Sequence, residues 1–190
     1  MYLIRIFDGH RVYKAIPNIL SFSRIVLALV LLLTEPLSFP FLAIFAVCGI
    51  TDVLDGFLAR KLDACSEHGY TLDSLSDAVL AVCLLFCIIP AVDWEAWMIV
   101  WIAAIAAVRL TALGIGSGKY GKPAFVHTYL NKLAGALLFL APFLLVLIGV
   151  PVTVAIVCCV TSISAAEYLY INIRFDRYDP DFASVFIGRV

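Results

Sequence analysis

Six apolar stretches follow one another along the chain, at residues 17–34, 39–60, 69–91, 95–116, 124–149 and 151–173. Each suits a helix of about 20 residues, the length that crosses a hydrocarbon core roughly 30 Å thick. Breakers stand between them: Glu35-Pro36 and Pro40, then Pro90 and Asp93, then Gly149 and Pro151. Ahead of the first stretch, Tyr2, Leu3, Ile4, Ile6 and Phe7 stand among Arg5, Arg11 and Lys14, which predicts an amphipathic helix lying on a membrane surface. A cleavable secretory signal is the competing reading of this start. Five further apolar stretches and the lack of a small-residue cleavage site argue against it. The pattern predicts an all-α integral membrane protein: a juxtamembrane segment over 1–15, one six-helix domain over 16–175 and a tail over 176–190.

Composition sharpens this picture. The chain is 64% hydrophobic and 14% charged, with a mean hydropathy of +1.06. Soluble domains run at roughly 45–50% apolar and about 25% charged residues, so the excess apolar surface must face lipid. No run of like charges exists, which removes nucleic acid as a partner. Cys48, Cys65, Cys83, Cys87, Cys158 and Cys159 form no CxxC pair, and five of them fall within apolar stretches, as small packing residues do. His10, His68 and His127 are too scattered to form a ligand set. Trp94, Trp97, Tyr168 and Tyr170, near the ends of stretches, read as interfacial anchors.

Charge gives the orientation. With six spans, all 13 basic residues fall on one side: Arg5, Arg11, Lys14 and Arg24 at the start, Arg60 and Lys61 after the second span. Arg109, Lys119, Lys122 and Lys132 surround the connection after the fourth, and Arg174, Arg177 and Arg189 end the chain. The opposite connections, 34–40, 91–96 and 149–151, contain none. The positive-inside rule makes the basic side cytoplasmic, with both termini there and the protein multi-pass in the cell membrane.

Aspartates inside spans need a reason, because a charged side chain near a helix centre costs about 2.5–3.5 kcal/mol on insertion scales. Asp52 and Asp55 lie near the cytoplasmic end of the second span, Asp73 and Asp77 near the cytoplasmic start of the third. Spacings of three and four place each pair on one helix face. A short connection makes the two spans antiparallel neighbours, so the four carboxylates converge. Such a cluster requires a counter-charge. Oxygen ligands select a hard cation, Mg²⁺ or Mn²⁺, over zinc. Gly56, Ala59 and Gly69 are small where a ligand would approach, and Arg60 adds a charge suited to phosphate. Paired intramembrane acids also serve cation transporters, but those sites lie near the midplane, and these acids cluster at one end.

Residues 52–77 read Asp52-x2-Asp55-Gly56-x2-Ala59-Arg60-x8-Gly69-x3-Asp73-x3-Asp77. At all eight fixed positions this resembles the signature of the CDP-alcohol phosphatidyltransferase family. Pro17-Asn18-Ile19-Leu20-Ser21-x2-Arg24 is similar to the motif that opens the first span in several members. The resemblance implies an enzyme of phospholipid biosynthesis. It would move a phosphatidyl group from CDP-diacylglycerol, or a related CDP-lipid, to a small alcohol, with CMP leaving. It further implies two divalent ions on Asp52, Asp55, Asp73 and Asp77, with Asp77 also the general base. Asn18, Gly56, Ala59, Arg60 and Gly69 would line the CDP-lipid site, and a homodimer is expected.

The acceptor is less sharply drawn. The opening motif is similar to phosphatidylglycerol-phosphate synthases, which usually carry Asp-Pro-x-Ala-Asp-Lys where this chain has Asp73-Ser74-Leu75-Ser76-Asp77-Ala78. The latter is closer to phosphatidylserine synthases, although their later Gly-Lys-x-Lys-Thr segment is altered here to Gly121-Lys122 and His127-Thr128. Inositol phosphate is a third possibility. The basic residues around the connection after the fourth span favour a phosphate-bearing acceptor, glycerol 3-phosphate, held by Arg24, Arg109, Lys119 and Lys122.

Overall fold

The computed structural model describes residues 9–61, 67–122 and 128–175. These form six helices: α1 (Gly9–Leu31), α2 (Phe39–Lys61), α3 (Glu67–Ala91), α4 (Ala96–Tyr120), α5 (Tyr129–Ile148) and α6 (Val150–Arg174). No strand occurs among the described residues. Helices α2 to α6 are each long and apolar enough to cross a membrane, and α1 contributes a shorter apolar run, Asn18–Leu31. The structure therefore agrees with an all-α multi-pass membrane protein. Only the six-span count and the sidedness go beyond it. Residues 1–8, the 62–66 and 123–127 connections, with Cys65 and His127, and the tail from 176 lie outside the described residues.

One boundary differs from the sequence expectation. Helix α1 begins at Gly9, so it runs unbroken through the division expected between a surface segment ending at residue 15 and the first span. Proline at 17 does not prevent this, although it removes one backbone donor. Further along, α5 starts at Tyr129, where Thr128 caps it: its side chain accepts from the Asn131 N–H.

The chain forms two compact units, 1–92 and 93–190. In the first, α1 packs against both α2 and α3, and α2 and α3 make no comparable contact among the described residues. The expected neighbours thus meet through α1. Its buried positions, Ser21, Arg24, Ala28 and Leu31, recur every three or four residues, and α2 answers with Phe41, Phe45, Cys48 and Asp55. The turn from α1 to α2 holds Leu37 at φ 61°, a left-handed conformation unusual for leucine. Ser38 follows it and accepts from the Phe41 N–H at 3.4 Å.

In the second unit α6 packs against α4 and α5 and is the most enclosed helix. Most of its buried side chains are small or polar, among them Thr153, Cys158, Thr161, Ser164 and Ala165, which permits close helix approach. Thr153 and Thr161 return their hydroxyls to the carbonyls of Gly149 and Val157, satisfying themselves without water. Met98, Val154 and Cys158 form an apolar centre flanked by Trp94, Trp101, Ile105 and Val150. Large apolar side chains elsewhere point outward, such as Phe86 on α3 and Val100 on α4, as lipid-facing positions should.

Candidate metal and substrate site

The seam that buries Phe41, Phe45 and Cys48 on α2 continues, at the same spacing, into Asp52 and Asp55. On α3, Asp73, Ser76 and Asp77 share one face by their spacing of three and four. Carboxylate oxygens of Asp52, Asp55 and Asp73 all lie within 4.8 Å of one another. The convergence expected from the sequence is present, and its centre is Arg24 of α1.

Arg24 is wholly buried and forms ion pairs with all four aspartates. Its Nη1 lies 3.0 Å from Asp52 Oδ1, 3.2 Å from Asp73 Oδ1 and 2.5 Å from Asp77 Oδ1, and donates to Ser76 Oγ at 3.1 Å. Nη2 pairs with Asp55 Oδ2, which also accepts from Ser21 Oγ at 3.0 Å. Asp55 is only 4% exposed, whereas Asp52, Asp73 and Asp77 are 49%, 40% and 55% exposed. One carboxylate is thus locked inside the unit, and three open outward.

These residues fit a divalent cation. The donors are hard carboxylate oxygens within coordinating reach of one another, with no histidine or cysteine among them. A single guanidinium faces four carboxylates, and the two hydrogens of Nη1 are shared among three carboxylates and a hydroxyl. Negative charge therefore remains for further cations to neutralise.

The other expected residues are placed as follows. Gly56 faces open space: a Cβ there would meet no atom within 4 Å, so packing does not demand glycine. Asn18 is half-buried on α1, and Gly69 lies in the first turn of α3. The backbone of Ala59 and Arg60 is helical, and their side chains lie outside the described residues.

In the second unit, Arg109 of α4 donates Nη1 to Asn131 Oδ1 of α5 and Nη2 to Ser164 Oγ of α6, each at 3.1 Å. Lys119 donates to the Ile173 carbonyl at 3.1 Å, and Lys122 is exposed. Sequence reasoning assigned no role to Ser21 or Ser76, although both lie three residues from a charged member of the site. It also passed over Glu167, buried in α6. Being the one acid within residues 150–174, Glu167 was open to the same reasoning that picked out the aspartates.

The CDP-alcohol phosphatidyltransferase family model matches residues 14–170, and the chain belongs to that family. The chain is similar to the cardiolipin synthase (CMP-forming) of Rattus norvegicus, 48% identical over 34% of this chain and 22% of the relative. It is similar to the CDP-diacylglycerol–glycerol-3-phosphate 3-phosphatidyltransferase of Bacillus subtilis, 32% identical over 38% of this chain and 40% of the relative. A third relative is the CDP-diacylglycerol–serine O-phosphatidyltransferase of Mycobacterium tuberculosis, 33% identical over 46% of this chain and 32% of the relative. The matched stretches span less than half the length of each of these relatives. No solved structure matches the chain at significance.

Proposed function

We propose that the protein transfers a phosphatidyl group from CDP-diacylglycerol, or a related CDP-lipid, to glycerol 3-phosphate at the cytoplasmic face of the cell membrane, acting as a homodimer. The observation that carries the reaction type is the convergence of Asp52, Asp55, Asp73 and Asp77 on one point of the first unit. Two Mg²⁺ or Mn²⁺ ions held there would neutralise the charge of the CDP pyrophosphate. Asp77 is the base. Arg24 holds its Oδ1, and the half-exposed carboxylate takes the proton of the acceptor hydroxyl through its other oxygen. The acceptor oxygen bonds to the lipid-side phosphorus, and CMP departs with the electron pair of the broken P–O bond. Asn18, Gly56, Ala59, Arg60 and Gly69 line the donor site, where the open space at Gly56 admits a ligand.

Glycerol 3-phosphate is favoured by Arg109, whose two hydrogen bonds go to neutral oxygens and so leave its charge for an anion. Lys119 and Lys122 are a second rank. The name of the Bacillus subtilis relative agrees with this acceptor; the other two relatives are named for cardiolipin and for serine.

The test supplies purified protein with CDP-diacylglycerol and glycerol 3-phosphate, serine or inositol phosphate, and identifies the lipid product. CMP release is expected with glycerol 3-phosphate, lost in excess chelator and restored by Mg²⁺ or Mn²⁺. Arg109→Ala should raise KM for glycerol 3-phosphate by roughly 10–100-fold, the worth of a charged hydrogen bond, and leave that for CDP-diacylglycerol nearly unchanged. Turnover with serine alone would transfer the assignment to a phosphatidylserine synthase. Full activity in chelator would overturn the metal reading, and ion flux into proteoliposomes without CDP-lipid would favour the transporter.

A further inference from the structure

Arg24 touches every aspartate of the site, yet its contacts are of two kinds. Nη2 and Ser21 hold Asp55 Oδ2 in a buried pair, whereas Nη1 takes one oxygen from each of three half-exposed carboxylates on α2 and α3. Because α2 and α3 make no contact comparable to those of α1 among the described residues, repulsion among these groups has little helix contact to restrain it. The cation that draws them together is supplied by α1. A divalent ion at Asp52 and Asp73 would compete with Nη1 for the same oxygens and would sit within a few ångströms of its positive charge. Resting on the reading of the aspartates as metal ligands, we propose that Arg24 is a positioning residue. It keeps Asp55 through Nη2, gathers Asp52, Asp73 and Asp77 through Nη1, and yields Asp52 and Asp73 to the incoming metal, so that it sets the metal affinity.

The competition fixes the sign of the outcome. Without Arg24 the carboxylates lose their internal counter-charge, which destabilises the metal-free protein more than the metal-bound one. Metal must then bind more tightly and stabilise the fold more. The experiment titrates Mn²⁺ into the full-length protein in detergent, following free Mn²⁺ by electron paramagnetic resonance, with Tm measured with and without Mn²⁺. Arg24→Gln should lower Tm in chelator, recover much of that loss in Mn²⁺, and bind Mn²⁺ about tenfold more tightly than the unaltered protein, the order expected from removing one nearby like charge. Arg24→Lys keeps the charge but not the fork, and should fall between the two. That variant decides the matter if Arg24→Gln does not fold. A merely structural arginine would lower Tm equally with and without Mn²⁺ and leave the affinity unchanged, and either result overturns the proposal. Weaker Mn²⁺ binding in both variants would also overturn it, making Arg24 a support of the bound state. Should the unaltered protein bind no Mn²⁺, the metal reading of the aspartates fails, and the handover fails with it.

Discussion

A carboxylate's role in this site follows from how far it is withdrawn from its surroundings. Asp55 is enclosed by Ser21 and Arg24, and removing it leaves Nη2 of a wholly buried guanidinium without its carboxylate. Breaking a buried pair from one side costs about 3–5 kcal/mol in soluble proteins, so Asp55→Ala should lower Tm well below that of Asp52→Ala, whose side chain is half-exposed. Equal Tm values for the two variants would contradict this reading of Asp55 as the enclosed member. Asp77 separates from Asp52 on a different measurement. A general base contributes about 10²–10⁴-fold, so Asp77→Asn should reduce kcat by that order and leave CDP-diacylglycerol binding largely intact. Asp52→Asn should lose Mn²⁺ binding and turnover together. If both variants lose donor binding alike, Asp77 is an ordinary ligand and another group takes the proton.

Helices here carry two messages in one periodicity, and only one of them is easily read. The apolar runs announce α2 to α6 plainly, because lipid rewards apolar side chains on every face and the sequence hardly alternates. Aspartate spacings of three and four likewise show which side chains share a face. What the sequence does not display is which helix meets which. Short connections suggested α2 against α3, whereas α1 lies against each of them and brings Arg24 to the centre. Ser21 and Ser76 were given no role for a similar reason: a serine in an apolar helix is common, and its worth depends on a partner from another helix. The left-handed Leu37 is equally invisible, since nothing in its identity favours that conformation. Gly56 shows how helix and site demands separate. Glycine inside a helix is about 1 kcal/mol less favourable than alanine, and no neighbour here requires it. Gly56→Leu should therefore leave Tm unchanged or raise it, while increasing KM for the CDP-lipid. A lowered Tm with unchanged KM would mean that glycine serves packing and not the donor.

At the scale of the whole chain, each unit is built around one helix packed on two others: α1 with α2 and α3, and α6 with α4 and α5. The family match runs through both units, so neither alone is the family's domain. What unites them in the sequence is the distribution of charge. If the six helices all cross, the connections 34–40, 91–96 and 149–151 share one side and carry none of the 13 basic residues. Asp52 and Asp55 lie toward the C-terminal end of α2 and Asp73 and Asp77 toward the N-terminal end of α3, so on the proposed reading the reaction runs on the side of the connection that joins these two helices. On that reading the positive-inside rule would put that side in the cytoplasm. A membrane-impermeant maleimide applied to intact cells tests the whole arrangement, in a background with Cys65 and Cys159 changed to serine. The remaining cysteines, Cys48, Cys83, Cys87 and Cys158, are buried and should stay silent. Ser38→Cys and Glu95→Cys should label from outside, while Lys61→Cys and Lys119→Cys should label only after the membrane is opened. Labelling of Lys61→Cys in intact cells would invert the orientation and place the aspartates on the outer side. Labelling of Ser38→Cys and Lys61→Cys together would show instead that α2 does not cross, and that five spans or fewer carry the chain.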